Sequence, residues 1–332
     1  VSTTLPYAQR DASAASGGVG RGSGPRARAR KRSDRRRRVR RDVLLLALMA
    51  PGVLYFAIFH YGALGANVIA FKRYVPFIGI VDSQWAGLAH FARMFSDVAF
   101  WRAALNTLEI SALQLIFYFP IPLALALLLH SISSVPVRRF VQSVVYLPHF
   151  ISWVIVVALF QQILGNAGVL NGILADNGLS IVHIIGNPDA FKPLMIAQVI
   201  WKDAGWGTII FLAALHQVDE QQYEAAAIDG AGWWRRLWHV TLPAIRPVLA
   251  LLLILRLGEI LSVGFEQFIL QRDNVGPAAG EVIDTFVYYT GVLGGDWGYG
   301  AAAGLVKGAI GAVLIYLANK VAHRLGEQGV YR

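Results

Sequence analysis

The stretch Glu224–Pro247, EAAAIDGAGWWRRLWHVTLPAIRP, sets a charged, tryptophan-rich, glycine-interrupted turn between two long apolar runs. It reads as helix, turn, helix. EAAAID is built of good helix formers, and Gly230 and Gly232 break it where a tight reversal needs positive φ or close backbone approach. The second helix, 233–241, is amphipathic at 100° per residue: Trp234, Leu237, Trp238 and Thr241 share one face, and Arg235, Arg236 and His239 the other. Leu242 and Pro243 are expected to end it, and Pro247 to mark the start of the next apolar run.

Outward from this turn the chain is too apolar for a soluble domain. Of its 332 residues 56% are hydrophobic and 15% charged, with a mean hydropathy of +0.51, which points to an all-α, polytopic membrane protein. Runs of the roughly 20 residues needed to cross about 30 Å of hydrocarbon give six expected spans, at 43–62, 103–130, 144–164, 194–215, 246–266 and 300–319. The turn then belongs to the main loop, 216–245, between the fourth and fifth spans. Counting Lys and Arg by loop assigns a side: with the N-terminal tail inside, 21 fall inside, six outside and three within or at the ends of spans. The positive-inside rule therefore expects both termini and the turn on the cytoplasmic face of a bacterial inner membrane. The last span carries Gly300, Gly304, Gly308 and Gly311, a small-residue ladder suited to close helix approach.

Two domains follow, a tail over 1–42 and a membrane domain over 43–332. Thirteen of the 30 Lys and Arg lie in the tail, so the net charge of +10 is a tail property. With little to bury, the tail is expected to be a disordered cytoplasmic anchor touching anionic lipid, not a nucleic-acid arm. The chain has no cysteine, which removes thiolate metal sites, disulfides and Cys nucleophiles. Its eight His are scattered without metal spacing. No GxxxxGK[ST] loop occurs, and GGVGRGSGP at 17–25 lacks the Lys of a phosphate cradle. No cofactor is expected on this chain.

The spacing within the turn sharpens the reading. Glu224-Ala225-Ala226, three residues, Gly230, nine residues, then Val240-Thr241-Leu242-Pro243 resembles the EAA loop of ATP-binding-cassette importer permeases, with Val240 in place of the family's Ile. The segments WKDAGWGTIIFLAALHQVDEQQYEAAAIDGAG, SVGFEQFILQRDN, EVIDTFVYYTGV and HRLGEQGVY are similar to the carbohydrate-uptake branch, in particular its LplB-like oligosaccharide permeases, so that the resemblance runs from about residue 40 to the end. It implies the type I importer permease fold with six helices and a coupling helix. It implies coupling residues Glu224, Ala225, Ala226, Asp229, Gly230, Val240, Leu242 and Pro243. It also implies partners: a second, homologous permease, an ABC ATPase dimer that binds the ATP and Mg, an extracytoplasmic sugar-binding protein, and an oligosaccharide substrate.

Charged and aromatic groups inside spans are the candidates for the sugar pathway, because such charges face a bundle interior or water. They are Trp201, Lys202, Asp203 and Trp206 in the fourth span, Arg256 and Glu259 in the fifth, and Glu266 and Gln267 at its outer end. Arg256 and Glu259, one turn apart, also suit a mutual ion pair. Arg256 and Lys202 favour an acidic, polysaccharide-derived oligosaccharide. Glu109 and Gln114 read as buried packing groups. The competing readings are a secondary sugar transporter driven by an ion gradient, which would show internal repeats and intramembrane carboxylates, and a membrane enzyme, for which no carboxylate pair can be assembled.

Overall fold

The computed structural model describes residues 42–43, 45–324 and 326; the basic tail lies outside them. Two compact units divide the chain, 1–65 and 66–332. The first holds the opening part of α1, a helical run over Leu45–Phe71. Its apolar side chains, among them Leu46, Leu48 and Phe59, are exposed along the run, as a lipid-facing helix requires.

In the second unit a two-stranded antiparallel ribbon, β1 Lys72–Arg73 and β2 Gln84–Trp85, precedes α2, Ala89–Ser96. Then come α3, Val98–Ser131, α4, Val135–Tyr146, α5, Trp153–Leu164, α6, Val169–Asp176, and α7, Pro188–Leu215. The turn segment gives α8, Glu220–Ile228, and α9, Trp233–Gly258. Short helices follow, including α10, Phe265–Ile269, and α11, Ile283–Phe286. α12, Trp297–Arg324, closes the described chain.

Among the described residues five helical runs are long and apolar enough to cross a membrane: Leu45–Phe71, Val98–Ser131, Trp153–Asp176 (α5 and α6 taken together), Trp233–Gly258 and Trp297–Arg324. The remaining expected span, the fourth at 194–215, lies on the 28-residue α7, whose length suffices but whose Gln198, Lys202 and Asp203 dilute its apolar character.

Several boundaries differ from expectation, beginning with the first span, which runs past its expected end at 62 to Phe71. The span expected at 144–164 starts only at Trp153. A 3-10 turn over Leu147–Phe150 and extended backbone at Ile151 and Ser152 interrupt it, because Pro148 has no N–H for a helical ladder. The helix of the turn does not stop at Leu242–Pro243 but runs on to Gly258. A π-turn over Leu237–Thr241 precedes Pro243 and absorbs the register change, so the loop limit at 245 falls inside a helix. The span expected to reach 266 ends at Gly258, and residues 259–264 are irregular.

α7 organises the packing. At one end Phe191, Leu194, Met195 and Ile196 pack with Ile110, Val263, Phe268 and Val282. At the other, Phe211, Leu212, Ala214 and Leu215 pack with Ala126, Leu129 and Ile245. Its middle is close against its neighbours: a Cβ on Gly205 would lie 2.1 Å from the Val145 carbonyl oxygen. α12 is held differently. Arg93 reaches Asp296 at 2.5 Å and lies 4.4 Å over the Tyr299 ring; the Asp296 hydrogen bond raises the guanidinium pKa above its ordinary value. Of the glycine ladder, Gly300 meets Gly291 and Gly311 meets the Gly258 carbonyl, whereas Gly304 and Gly308 face open space.

These approaches make a test. Gly205→Ala should destabilise the purified chain by about 1–3 kcal/mol through overpacking, read as a lowered thermal midpoint in detergent. Gly304→Ala, which meets nothing within 4 Å, should stay within about 0.5 kcal/mol.

Candidate functional site

The turn is built by a helix stop that needs glycine. Asp219 caps α8, its side chain accepting from the Gln221 N–H at 3.0 Å. At the other end the Ala231 N–H donates to the Ala226 carbonyl at 2.9 Å and the Gly230 N–H to the Ala227 carbonyl at 3.0 Å. This is the paired bonding of a Schellman motif, with Asp229 at the cap and Gly230 left-handed at φ +74. A side chain at that φ is strained, which accounts for Gly at this place in the EAA spacing.

The turn is tied to the membrane helix that follows. Tyr223 Oη lies 3.0 Å from Thr241 Oγ1. Leu237, Thr241 and Ile245 form the buried line of α9, while Glu224, Ala225 and Asp229 are exposed and Ala226 and Val240 partly so. Leu242 is partly buried and Pro243 exposed on the continuing helix. Trp234 and Trp238, expected on the face of Leu237 and Thr241, are instead exposed, as are Trp233 and the 87% exposed Ile228. Among the described residues, Ile228, Trp233, Trp234 and Trp238 thus leave exposed apolar surface at the bend.

The second cluster lies midway along α7, between its two apolar ends. Lys202 Nζ donates to the His149 carbonyl at 2.6 Å, and Asp203 meets His149 Nδ1 at 2.9 Å and Lys202 at 3.8 Å. The imidazole stacks on Trp206, the centroids 4.4 Å apart and the planes 6° from parallel. Trp201 and Trp206 are both exposed in part. His149 comes from the 3-10 turn that interrupts the expected third span, which is why reading that segment as continuous helix missed it.

The cluster continues toward α9. Tyr118 Oη reaches the Asp203 carbonyl at 3.5 Å, and the Arg256 guanidinium lies 5.9 Å from the Tyr118 ring and hydrogen-bonds Gln114 Oε1. The pairing of Arg256 with Glu259 does not occur: the helix ends between them, and Glu259 is exposed at the cap. An arginine inside a membrane costs about 2.5–3.5 kcal/mol on insertion scales. Its place in the last turn of α9, where the helix dipole favours a cation, gives back about 0.3–1 kcal/mol, and a hydrogen bond to a charged group about 1.5–3 kcal/mol. Arg256 is therefore tolerated without a carboxylate.

The remaining candidates separate. Glu266 is exposed. Gln267 is fully buried and lines no opening: its Nε2 donates to Gln198 Oε1 and to the Met195 carbonyl, both at 2.9 Å, and Gln271 Nε2 donates to the same Gln198 oxygen at 2.9 Å. This triad fastens α10 to α7. Glu109, expected buried, is exposed and pairs with Lys192 at 2.5 Å.

A polar stripe on α3 supports the irregular segment. Asn106 donates to the carbonyls of Ala278 and Glu281 at 3.1 and 3.0 Å. Thr107 accepts from the Ile283 N–H at 2.9 Å. Ser111 donates to the Ile260 carbonyl, and Gln114 Nε2 to that of Val263 at 3.2 Å. Thr107, Ser111 and Gln114 recur at helical spacing in an apolar run, the signal that could have exposed this stripe in the sequence.

Residues 118–326 match the family described as "Binding-protein-dependent transport system inner membrane component". The chain is 44% identical over 288 residues to the polygalacturonan/rhamnogalacturonan transport system permease protein YteP of Bacillus subtilis (strain 168), covering 86% of this chain and 90% of that one. It is 42% identical over 294 residues to Protein LplB of the same organism, covering 88% and 92%. Among solved structures, a bacterial alginate ABC transporter in complex with alginate pentasaccharide-bound periplasmic protein matches with a TM-score of 0.80 and 38% identity, over 89% of this chain and 99% of that one.

The α3 stripe is testable alone. Asn106→Leu strands the buried Glu281 carbonyl and frees that of Ala278, and should cost about 1–3 kcal/mol, seen as a lowered thermal midpoint of the purified protein and faster proteolysis within 259–283.

Proposed function

Because the chain belongs to the binding-protein-dependent transport system inner membrane component family, we propose that it forms half of the translocation pathway for an oligosaccharide. It is a permease subunit of an ATP-binding-cassette importer, an integral inner-membrane protein and not an enzyme. It works with a second permease, an ATPase and a periplasmic binding protein.

The turn is the ATPase-coupling element in this reading. What carries it is the coincidence of the EAA spacing with a glycine-dependent bend that is exposed on its outer side and hydrogen-bonded to the membrane helix on its inner side. Glu224, Ala225, Ala226, Asp229 and Gly230 make the docking surface. Small alanines permit close approach, and Glu224 supplies a charged contact. Val240, Leu242 and Pro243 lie where the bend becomes the span. Since α9 is continuous over 26 residues, about 39 Å at the α-helical rise, a displacement of the turn by the closing ATPase reaches the Arg256 end as a rigid-body motion. ATP and Mg belong to the ATPase, and no cofactor is assigned to this chain.

The sugar pathway in this proposal runs past the mid-helix cluster. Trp201 and Trp206 give apolar faces for sugar rings, with Asp203 and Arg256 as hydrogen-bonding groups beside them and the buried Lys202 holding the His149 turn in place. Glu259 and Glu266, exposed beyond α9, flank its mouth. Gln267 serves the pathway by fixing α10 to α7. The Lys and Arg distribution supports cytoplasmic termini and a cytoplasmic turn.

Two experiments test this. Gly230→Val and Glu224→Lys should leave the complex assembled and abolish sugar-stimulated ATP hydrolysis; normal stimulation in both removes the coupling role. Because the chain has no cysteine, a single cysteine at position 228 should react with a membrane-impermeant maleimide only in inside-out vesicles. Labelling in intact spheroplasts reverses the orientation.

A further inference from the structure

We infer that the hairpin loop over 74–83 is a membrane anchor, its apolar tip inserted into the lipid leaflet where the first span ends, the outer one in the orientation proposed above.

The loop reads YVPFIGIVDS and carries one charge, Asp82, two residues before β2. Its apolar side chains lack cover. Phe77 is 98% and Val81 85% exposed, and Val75, Ile78 and Ile80 are exposed as well. Contiguous apolar surface of this kind marks contact with a membrane or with a protein partner.

Three observations select the membrane. The first is position: β1 begins at Lys72, directly after the helical run that ends at Phe71. A Cβ on Gly298, at the start of α12, would lie 2.8 Å from the Lys72 carbonyl oxygen. The loop therefore leaves the protein at the level where two spans have their ends.

The second is hydrogen bonding. Lys72 Nζ donates to the Ile80 and Val81 carbonyls at 2.6 and 2.9 Å. Ser83 Oγ donates to the Gly79 carbonyl at 2.6 Å and accepts from the Val75 N–H at 3.1 Å. The Ile78 and Gly79 N–H groups donate to the Val75 carbonyl, and Pro76 has no N–H to satisfy. Backbone that turns its polar groups inward suits hydrocarbon, where an unsatisfied amide finds no water. A soluble partner makes no such demand, because its interface carries hydrogen bonds and trapped water of its own.

The third is the order of side chains. Arg73 and Trp85 are exposed at the base of the loop, with Trp85 stacked on Phe71, the ring planes 12° apart. Trp101 is exposed in the first turn of α3. Cations and tryptophans at headgroup level, with aliphatic and phenyl groups beyond them, are the grading of an interfacial segment. Held by the ribbon and by Lys72, the inserted tip fixes the depth at which the first span ends.

The test exploits the absence of cysteine from the chain. A nitroxide is attached to Phe77→Cys, and separately to Val81→Cys, and the protein is reconstituted in phospholipid vesicles. Electron paramagnetic resonance then reads collisions with oxygen, which concentrates in hydrocarbon, and with a nickel chelate, which stays in water. Phe59→Cys on the lipid-facing first span and Asp176→Cys, exposed at the end of α6, give the two reference ratios. Both loop labels should show an oxygen-to-nickel ratio severalfold above that at 176 and close to that at 59. This ratio should be the same in the purified full chain, in the assembled transporter with cysteine-free partner subunits, and after binding protein is added. A ratio like that at 176 overturns the inference. So does shielding that appears only with the second permease or only with the binding protein, since the patch is then a protein docking surface. If one variant does not reconstitute, the other decides the matter.

Discussion

Backbone amides inside a bilayer have no water to bind, so every break in a membrane helix must find its hydrogen-bonding partners within the protein. Between α9 and α11 the chain from Glu259 to Ile283 repeatedly leaves regular helix, and α3 supplies partners for its backbone through Asn106, Thr107, Ser111 and Gln114. The rest of the polar architecture depends on this arrangement. Gln114 serves both sides, donating to Val263 and accepting from Arg256. The Gln198–Gln267–Gln271 triad then anchors the same segment to α7.

Much of this was legible in the sequence where a local rule had one solution. The EAA spacing and the glycine within it foretold a left-handed helix stop, because only glycine is unstrained at φ +74. Apolar length located the long helices, but several of their ends lie about ten residues from where it put them. The misreadings came from long-range partners. Nothing near Arg256 in sequence announces Gln114, 142 residues away, so the nearer Glu259 was the natural choice. His149 was hidden because its neighbours are apolar and only Pro148 signalled the interruption. Leu242-Pro243 resembled a helix end since a π-turn, which lets the helix continue through proline, leaves little mark on a single sequence.

The polar layer also explains why α7 falls short of the apolar character of the other long helices. Its Gln198, Lys202, Asp203 and Thr208 are grouped between two apolar clusters. The helix gives up lipid compatibility over its middle turns and recovers it by being enclosed: Gln198, Lys202 and Thr208 are all buried. Low apolar character in an otherwise greasy chain thus marks the helix nearest the centre.

The unbroken course of α9 has a kinetic meaning. One end carries the exposed bend and the other carries Arg256, with no loop between them. A linker would store slack and let the two ends move at different times. In the proposed coupling a continuous helix leaves no such slack, so a displacement of the bend is felt at the Arg256 end in the same step.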